Sequence, residues 1–539
     1  MWPRRIALAV LLAALVAPLF LTTIPPLLDY PNHLARMRVL LAAGHDPALA
    51  SIYAIDWHIV PNLGMDAVVP LLAKLMPLDI AGRLFIALAL ILPVLGTVAL
   101  HDAVFEKRSW WPLVSALAVY NATLLAGFLN FMVGTGLALL GAACWIRLKD
   151  RPFWQQSGAV AVIAIPAFFT HLFGVAFLFL IVSCFELNEI ARERRVGATV
   201  GRAAKLALTV LPVAMLYLQT RIASDAGGSP LVLIKNVWWS LTKFDPLTKA
   251  IGAAADFMTY DTHIDLMILG AIATVITILA ITRRLRLSWL SGLAAALFGL
   301  YPFIPSVLSE TGWIDIRFPV LAGFLFFAGI APRKLARREI AALAFVVVAL
   351  IATRVGVIAT TWQGQNANIA DLESVLQPVK ALDRVLVVTA PKASPNVVEP
   401  VRWKFFVNQA SFGHSAAPMI VERGAFYPHL FTTAAKQPLH ALAPYDKLSE
   451  DRIVPPSSDV LSDHPPATTS STAMLVTYLA DWQKNFDYVL VLAADRLVQP
   501  KGFYADRLDF IAATPTAALY RVHARAQAPA LTAQLSPTR

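Results

Sequence analysis

The chain opens MWPRRIALAVLLAALVAPLFLTTIPPLLDYPNHLARMR, residues 1–38, and this stretch sets the reading of the rest. Arg4 and Arg5 precede an apolar run ending near Leu21, Pro25 and Pro26 stop it, and Asp29-Tyr30-Pro31-Asn32-His33 follows with Arg36 and Arg38. No small-x-small cleavage site follows the run, so it reads as an uncleaved first transmembrane helix rather than a signal peptide. An acid, an imidazole and an arginine within two turns beside a bilayer are costly unless they serve something.

Outward from that stretch the chain stays apolar. Of its 539 residues 58% are hydrophobic and only 15% charged, with a mean hydropathy of +0.63. A soluble protein carries roughly 25% charged residues, so the bilayer is the solvent this composition suits. The formal charge of +11 falls in short clusters between apolar spans, which argues against a nucleic-acid partner. Cys144 and Cys184 sit in apolar stretches and read as packing residues; no disulfide framework or metal spacing is present.

A spanning helix takes about 20 apolar residues. That rule places spans near 6–24, 82–104, 111–127, 129–146, 157–170, 172–188, 203–222, 264–282, 288–307, 317–331 and 340–360. Basic clusters fall at alternate junctions: Arg4/Arg5, Lys107/Arg108, Arg147/Lys149/Arg151, Arg192 to Lys205, Arg283/Arg284/Arg286 and Arg333 to Arg338. Positive charge stays cytoplasmic, so the expected fold is a polytopic α-helical membrane protein. It has about 11 helices, its N-terminus inside and its C-terminus outside.

Three regions then project outward. Loop 25–81 holds two helices at 31–43 and 65–76 lying at the interface; region 223–262 carries Trp238 and Trp239, a pair suited to an interface belt. After residue 361, runs of strand type at Arg384–Thr389, Tyr488–Leu492 and Ala517–Val522, with helical patterns near 370–381 and 475–485, predict a small α/β domain. The domain division is therefore 1–360 and 361–539, with a Pro-rich stretch at 443–470. No internal repeat, Walker-type loop or dinucleotide fingerprint is visible, which argues against an ATP-driven pump.

Asp29 is the candidate catalytic residue, held between two helix-ending prolines and the helix-opening Pro31; the competing reading is a helix cap. His33 and Arg36 follow at one-turn intervals on the same face. Arg36 either grips a phosphate or snorkels to headgroups. Asp56 and Asp66, with His58 and Asn62 between, are either ligands for a sugar or divalent cation or simply solvated acids. Tyr120, Asn121, Asn130 and His171 fall at the outward ends of spans, where polar groups face a cavity or pair with each other. Glu310, Asp315 and Arg317 occupy a later outer loop. Arg317 is a second phosphate candidate, or the partner of Asp315.

With its Asp-Tyr-Pro-Asn-His loop, Tyr120-Asn121 and Gly127-Phe128-Leu129-Asn130, the chain resembles the C-type glycosyltransferases, and within them uncharacterised bacterial membrane proteins of that kind. The likeness covers spans 1 to 10 as architecture and only a few residues as motif. The family often has adjacent acids where this chain has Asp29-Tyr30. The resemblance implies a bacterial inner-membrane enzyme taking a sugar from a polyprenyl-phosphate donor to a glycan, lipid or protein acceptor in a single inverting displacement. Asp29 would be the base, and His33, Arg36, Asp56, Asn130, His171 and Arg317 would bind substrate. No metal ligand set is expected, and a divalent cation is left open as a cofactor. The alternatives are a transporter or flippase of a lipid-linked saccharide, and a non-catalytic envelope assembly protein.

Overall fold

The computed structural model describes residues 2–42, 44–193, 196–220, 238, 245–307, 312–391, 404–405, 409–433, 436–450, 454–462, 478–479 and 481–523. Trp239, Glu310, Arg194, Arg195 and most of 221–244 lie outside them.

The chain begins with helix α1 (Trp2–Val16), then α2 (Tyr30–Ala42), α3 (Pro47–Ile52), strand β1 (Tyr53–Ile55) and α4 (Gly64–Leu72). The bundle continues through α5 (Leu78–Phe105), α6 (Ala122–Leu125), α7 (Leu129–Arg147), α8 (Phe153–Thr170), α9 (Leu172–Glu193) and α10 (Val196–Leu218). It is completed by α11 (Pro246–Ala253), α12 (Thr262–Ile281), β2 (Leu285–Leu287), α13 (Trp289–Leu300), α14 (Arg317–Gly329), β3 (Ile330–Pro332) and α15 (Arg337–Gly364). Seven helices among the described residues are long and apolar enough to cross a membrane, and the protein is a mostly helical, multi-pass membrane protein.

Seven is fewer than the eleven spans read from hydropathy, and the difference has local causes. The first stretch breaks at Val16 into a 3-10 turn, Ala17–Phe20, which Pro18 opens. The third is a buried 3-10 segment, Trp111–Ala118, followed by the single turn α6. Two others are the short helices α13 and α14, whose far ends are tied by the antiparallel β2–β3 ladder. Backbone groups freed inside an apolar bundle need protein partners. The Ala122 N–H accordingly donates to Ala255 O at 3.0 Å, and the Ser288 N–H to Gly329 O at 2.9 Å. Hydropathy measures apolar length and is blind to such breaks. Close helix approach comes from small residues: a Cβ on Gly174 of α9 would lie 2.8 Å from the Gly134 Cα of α7.

Helix α15 runs through Gln365 into α16 (Asn366–Val375), so the division expected at 360/361 falls within a nearly continuous helix. Beyond it come β4 (Val385–Thr389), the small β5–β6 pair (Lys404–Phe405 with Gln409–Ala410), α17 (Ala417–Glu422), β7 (Leu439–Ala441), the single turn α18 (Trp482–Asn485), β8 (Tyr488–Leu492), β9 (Leu508–Ala513) and β10 (Ala517–Val522). The main sheet has order β4-β8-β10-β9, with β4 parallel to β8 and the other pairings antiparallel. The three strand-type runs of the sequence are β4, β8 and β10. Edge strand β9 went unread because its outer residues, mostly half-exposed or exposed, show no clean alternation. Around this sheet a second hydrophobic core forms, distinct from the bundle's, and it takes in Ala35, Val39, Leu49, Ile52 and Tyr53 of the first polar loop. Strand β1 pairs with β7, setting Tyr53 opposite Ala441. The first loop and the C-terminal unit are therefore packed as one body on the end of the bundle.

Candidate active site around Asp29

Asp29 sits where the extended chain after Pro25 and Pro26 meets the 122–127 segment. Leu28 N–H donates to Leu125 O at 2.9 Å and Asp29 N–H to Ala126 O at 3.1 Å. Gly127, at φ +91°, closes the turn; a Cβ there would lie 2.7 Å from the Asp29 Cβ. Only glycine meets both demands, the left-handed backbone and the lack of space. The Asp29 carbonyl accepts the His33 N–H at 3.0 Å, the first bond of α2.

The carboxyl does something else. Asp46, Asp245 and Asp261 each cap a helix with side-chain oxygens that accept backbone N–H groups. The Asp29 carboxyl makes no such bond, and no ion pair, among the described residues. Asp29 is half-buried. Burial pushes its pKa up to about 7, with the Arg36 charge pulling the other way. That is the range in which a carboxylate accepts a proton with useful driving force.

His33 is one turn on. Its ring lies 5.2 Å from Phe431 and bonds the Gly127 backbone, while Nδ1 is buried without a partner among the described residues. Burial, then the Arg36 and His414 neighbours, hold it well below the usual imidazole range, so it is neutral. Arg36 is fully buried, which rules out snorkelling. Its Nε and Nη2 donate to the two Asp66 oxygens at 2.8 and 2.9 Å, and Nη1 is left without a partner among the described residues. Burial raises the Asp66 carboxyl and Arg36 pulls it back.

Asn130 spends its amide on the loop. Oδ1 accepts the Met65 N–H at 2.9 Å, and Nδ2 donates to Asn62 O and Oδ1 at 2.8 and 3.0 Å. Asn130 thus ties the loop before α4 and the start of α4 to α7. His171 accepts the Phe173 N–H at 3.1 Å and packs against Phe131 and Phe173. Those two rings and Phe128 surround the Arg317 guanidinium, at 5.7, 5.2 and 5.0 Å. Arg317 is 4% exposed, and Nε and Nη1 have no partner among the described residues. The expected alternative partner, Asp315, is engaged elsewhere: it takes Lys249 at 2.6 Å and Ser306 at 2.8 Å.

Asp29, His33, Arg36, Asn130, His171 and Arg317 are thus linked by contiguous contacts at one end of the bundle. Gly127 lies against Asp29, and its neighbour Phe128 lies under Arg317. Asp56 is different. Its carboxylate is 48% exposed, its N–H donates to Pro438 O, and His58 turns back to its carbonyl. It belongs to the β1–β7 seam. Among the described residues no three metal-binding side chains gather.

Some site residues went unread in the sequence. Asn32 ties α2 to the C-terminal unit: Nδ2 donates to His429 O at 2.6 Å, and Oδ1 accepts the Phe431 N–H at 3.0 Å. Phe431 stacks near His33, His414 and the Arg36 guanidinium. No sequence signal connects residues 400 apart. Only the adjacency of Asn32 to Asp29 hinted at it.

No protein-family model matches the chain, and no curated protein matches it. Among solved structures, that of ArnT from Cupriavidus metallidurans bound to undecaprenyl phosphate is similar, with a TM-score of 0.48 and 14% identity. The match covers 97% of this chain and 98% of that one.

Proposed function

We propose that this protein is a glycosyltransferase of the bacterial inner membrane that moves a sugar from a polyprenyl-phosphate donor to an acceptor hydroxyl on the extracytoplasmic face. The observation that carries the reading is the Asp29 carboxyl: unpaired among the described residues, not a cap, held near neutral pKa, and set at a junction of buried cations and aromatic rings. The orientation is supported by the opposite end, where Glu106, Lys149, Arg192 and Arg286 gather in one recess. Positive charge marks the cytoplasmic side, which puts Asp29 and the C-terminal unit outside.

Phosphate is already an adequate leaving group, so the demanding task is activation of the acceptor. Asp29 takes the hydroxyl proton; the oxygen attacks the anomeric carbon as the bond from that carbon to the phosphate oxygen breaks, and the lipid phosphate departs with the electron pair. The configuration inverts. A guanidinium with unspent donors stabilises the departing phosphate, and Arg317 has them. Arg36, committed to Asp66 on two nitrogens, holds the base's surroundings and offers only Nη1. His33, neutral and packed on Phe431, lies one turn from the base.

The test is mass spectrometry of envelope glycans and lipid-phosphate sugars in cells with the gene, without it, and carrying Asp29→Asn. An enzyme loses its product and accumulates its donor in both altered strains. Unchanged glycans in the Asn strain, with the protein present at wild-type level, would remove this mechanism and leave transport or assembly.

A further inference from the structure

At the end of the bundle away from Asp29 lies an open recess of about 620 Å³, walled by the ends of α5, α7 and α9 and by the β2–α13 corner. Its charged groups are Glu106, Lys149, Glu189, Arg192 and Arg286. Two cations are already paired with its two acids: Lys149 with Glu106 at 3.3 Å, and Arg192 with Glu189 at 3.2 Å. Arg286 has no carboxylate partner among the described residues. It is held nonetheless. Strand β2 fixes its backbone opposite Ala331, and its guanidinium lies 5.2 Å from the Phe105 ring centre. Among the described residues the recess therefore has one surplus positive charge, and it sits on a guanidinium, a group whose fork suits a bidentate anion. Beside it are apolar groups of membrane-interface type: Leu287, 62% exposed, and Trp289, whose ring lies 6.0 Å from Phe185.

We infer that this recess binds a phosphate group, either the headgroup of an anionic phospholipid or a free phosphate ester, with Arg286 as the principal contact. Basic pockets between helix ends at the membrane surface are suited to such headgroups. The two acids do not make it a cation site, since each already holds a cation of the chain. The inference rests on the membrane fold and not on the transfer chemistry at Asp29.

The experiment is native mass spectrometry of the full-length protein in detergent, titrated with phosphatidylglycerol, with phosphatidylcholine, and with phosphatidylglycerol in the presence of sn-glycerol 3-phosphate. The wild type should retain the anionic lipid about tenfold better than the zwitterionic one, as roughly 1.4 kcal/mol of preference implies. Arg286→Ala should abolish that preference and Arg286→Lys should restore part of it, both melting as the wild type does because Arg286 is exposed. Displacement of the lipid by glycerol phosphate assigns the site to soluble phosphate esters; no displacement assigns it to the lipid. Equal retention of both lipids by the wild type, or an unchanged preference in the Ala variant, overturns the proposal.

Discussion

The two ends of the bundle handle charge in opposite ways. At the basic end cations meet acids, some near water, as Arg284 and Glu339, 2.6 Å apart with their side chains 39% and 38% exposed, and some partly buried, as Arg4 with Asp102 and Arg202 with Glu186. At the Asp29 end the charges are buried, as in the Arg36–Asp66 pair, or buried with no counter-charge in contact among the described residues, as in Arg317. Exposed pairs contribute little to stability, and burying a charge costs several kcal/mol unless its donors are met. A fold that tolerates the second arrangement where the first was available is holding those groups for use. The teaching is that cost, rather than the number of charged residues, separates a candidate site from a membrane surface.

The comparison breaks first at Asp29. Asp29→Asn keeps size and shape and removes the base; transfer measured on purified protein should fall by about 10²- to 10⁴-fold. Wild-type transfer should rise with pH through about 7 as the carboxylate forms. Stability runs the other way. The folded value of about 7 stands above the ordinary 3.8, so between those pH values the native state holds more protons than the unfolded one, and stability falls as pH rises. Thermal melts at pH 4 and pH 8 should therefore show the wild type losing more stability than the Asn variant. A wild type that gains on the variant as pH rises would mean the carboxyl has a partner.

Next in size is Asp66→Ala, which strands Arg36 without its counter-charge and should cost about 3–5 kcal/mol. A melting temperature within a degree of wild type would show that Arg36 reaches water. Arg317→Ala should slow transfer by about 10²- to 10³-fold, the scale of one lost donor at a developing charge, with donor binding weakened too. A normal rate would leave Arg317 as aromatic packing and return the phosphate role to Arg36. Smallest is Arg284→Ala, expected to change stability by less than about 1 kcal/mol; a large loss there would erase the contrast between the ends.

Hydropathy, charge alternation and proline placement carried far in this chain because each is a local property. They gave the seven long helices, the α2 and α4 segments of the first loop, the three runs that became β4, β8 and β10, and Asp29 as a costly acid beside a membrane. Their count of about eleven spans exceeds the seven long apolar helices among the described residues, since an apolar composition is the same whether the backbone is one helix or a 3-10 turn, a break and a short helix. Pairing was beyond them. That Arg36 belongs to Asp66 and Lys249 to Asp315, that Asn130 is spent on Asn62 and Met65, and that Asn32 reaches Phe431 are decided by contacts between segments distant in sequence. A side chain's cost depends on burial and on which donors meet which acceptors, and both exist only once the chain is packed. The sequence alone determined where charge had to be explained; the tertiary structure decided which charges were already satisfied and, among the described residues, left Asp29 and Arg317 without an ion pair.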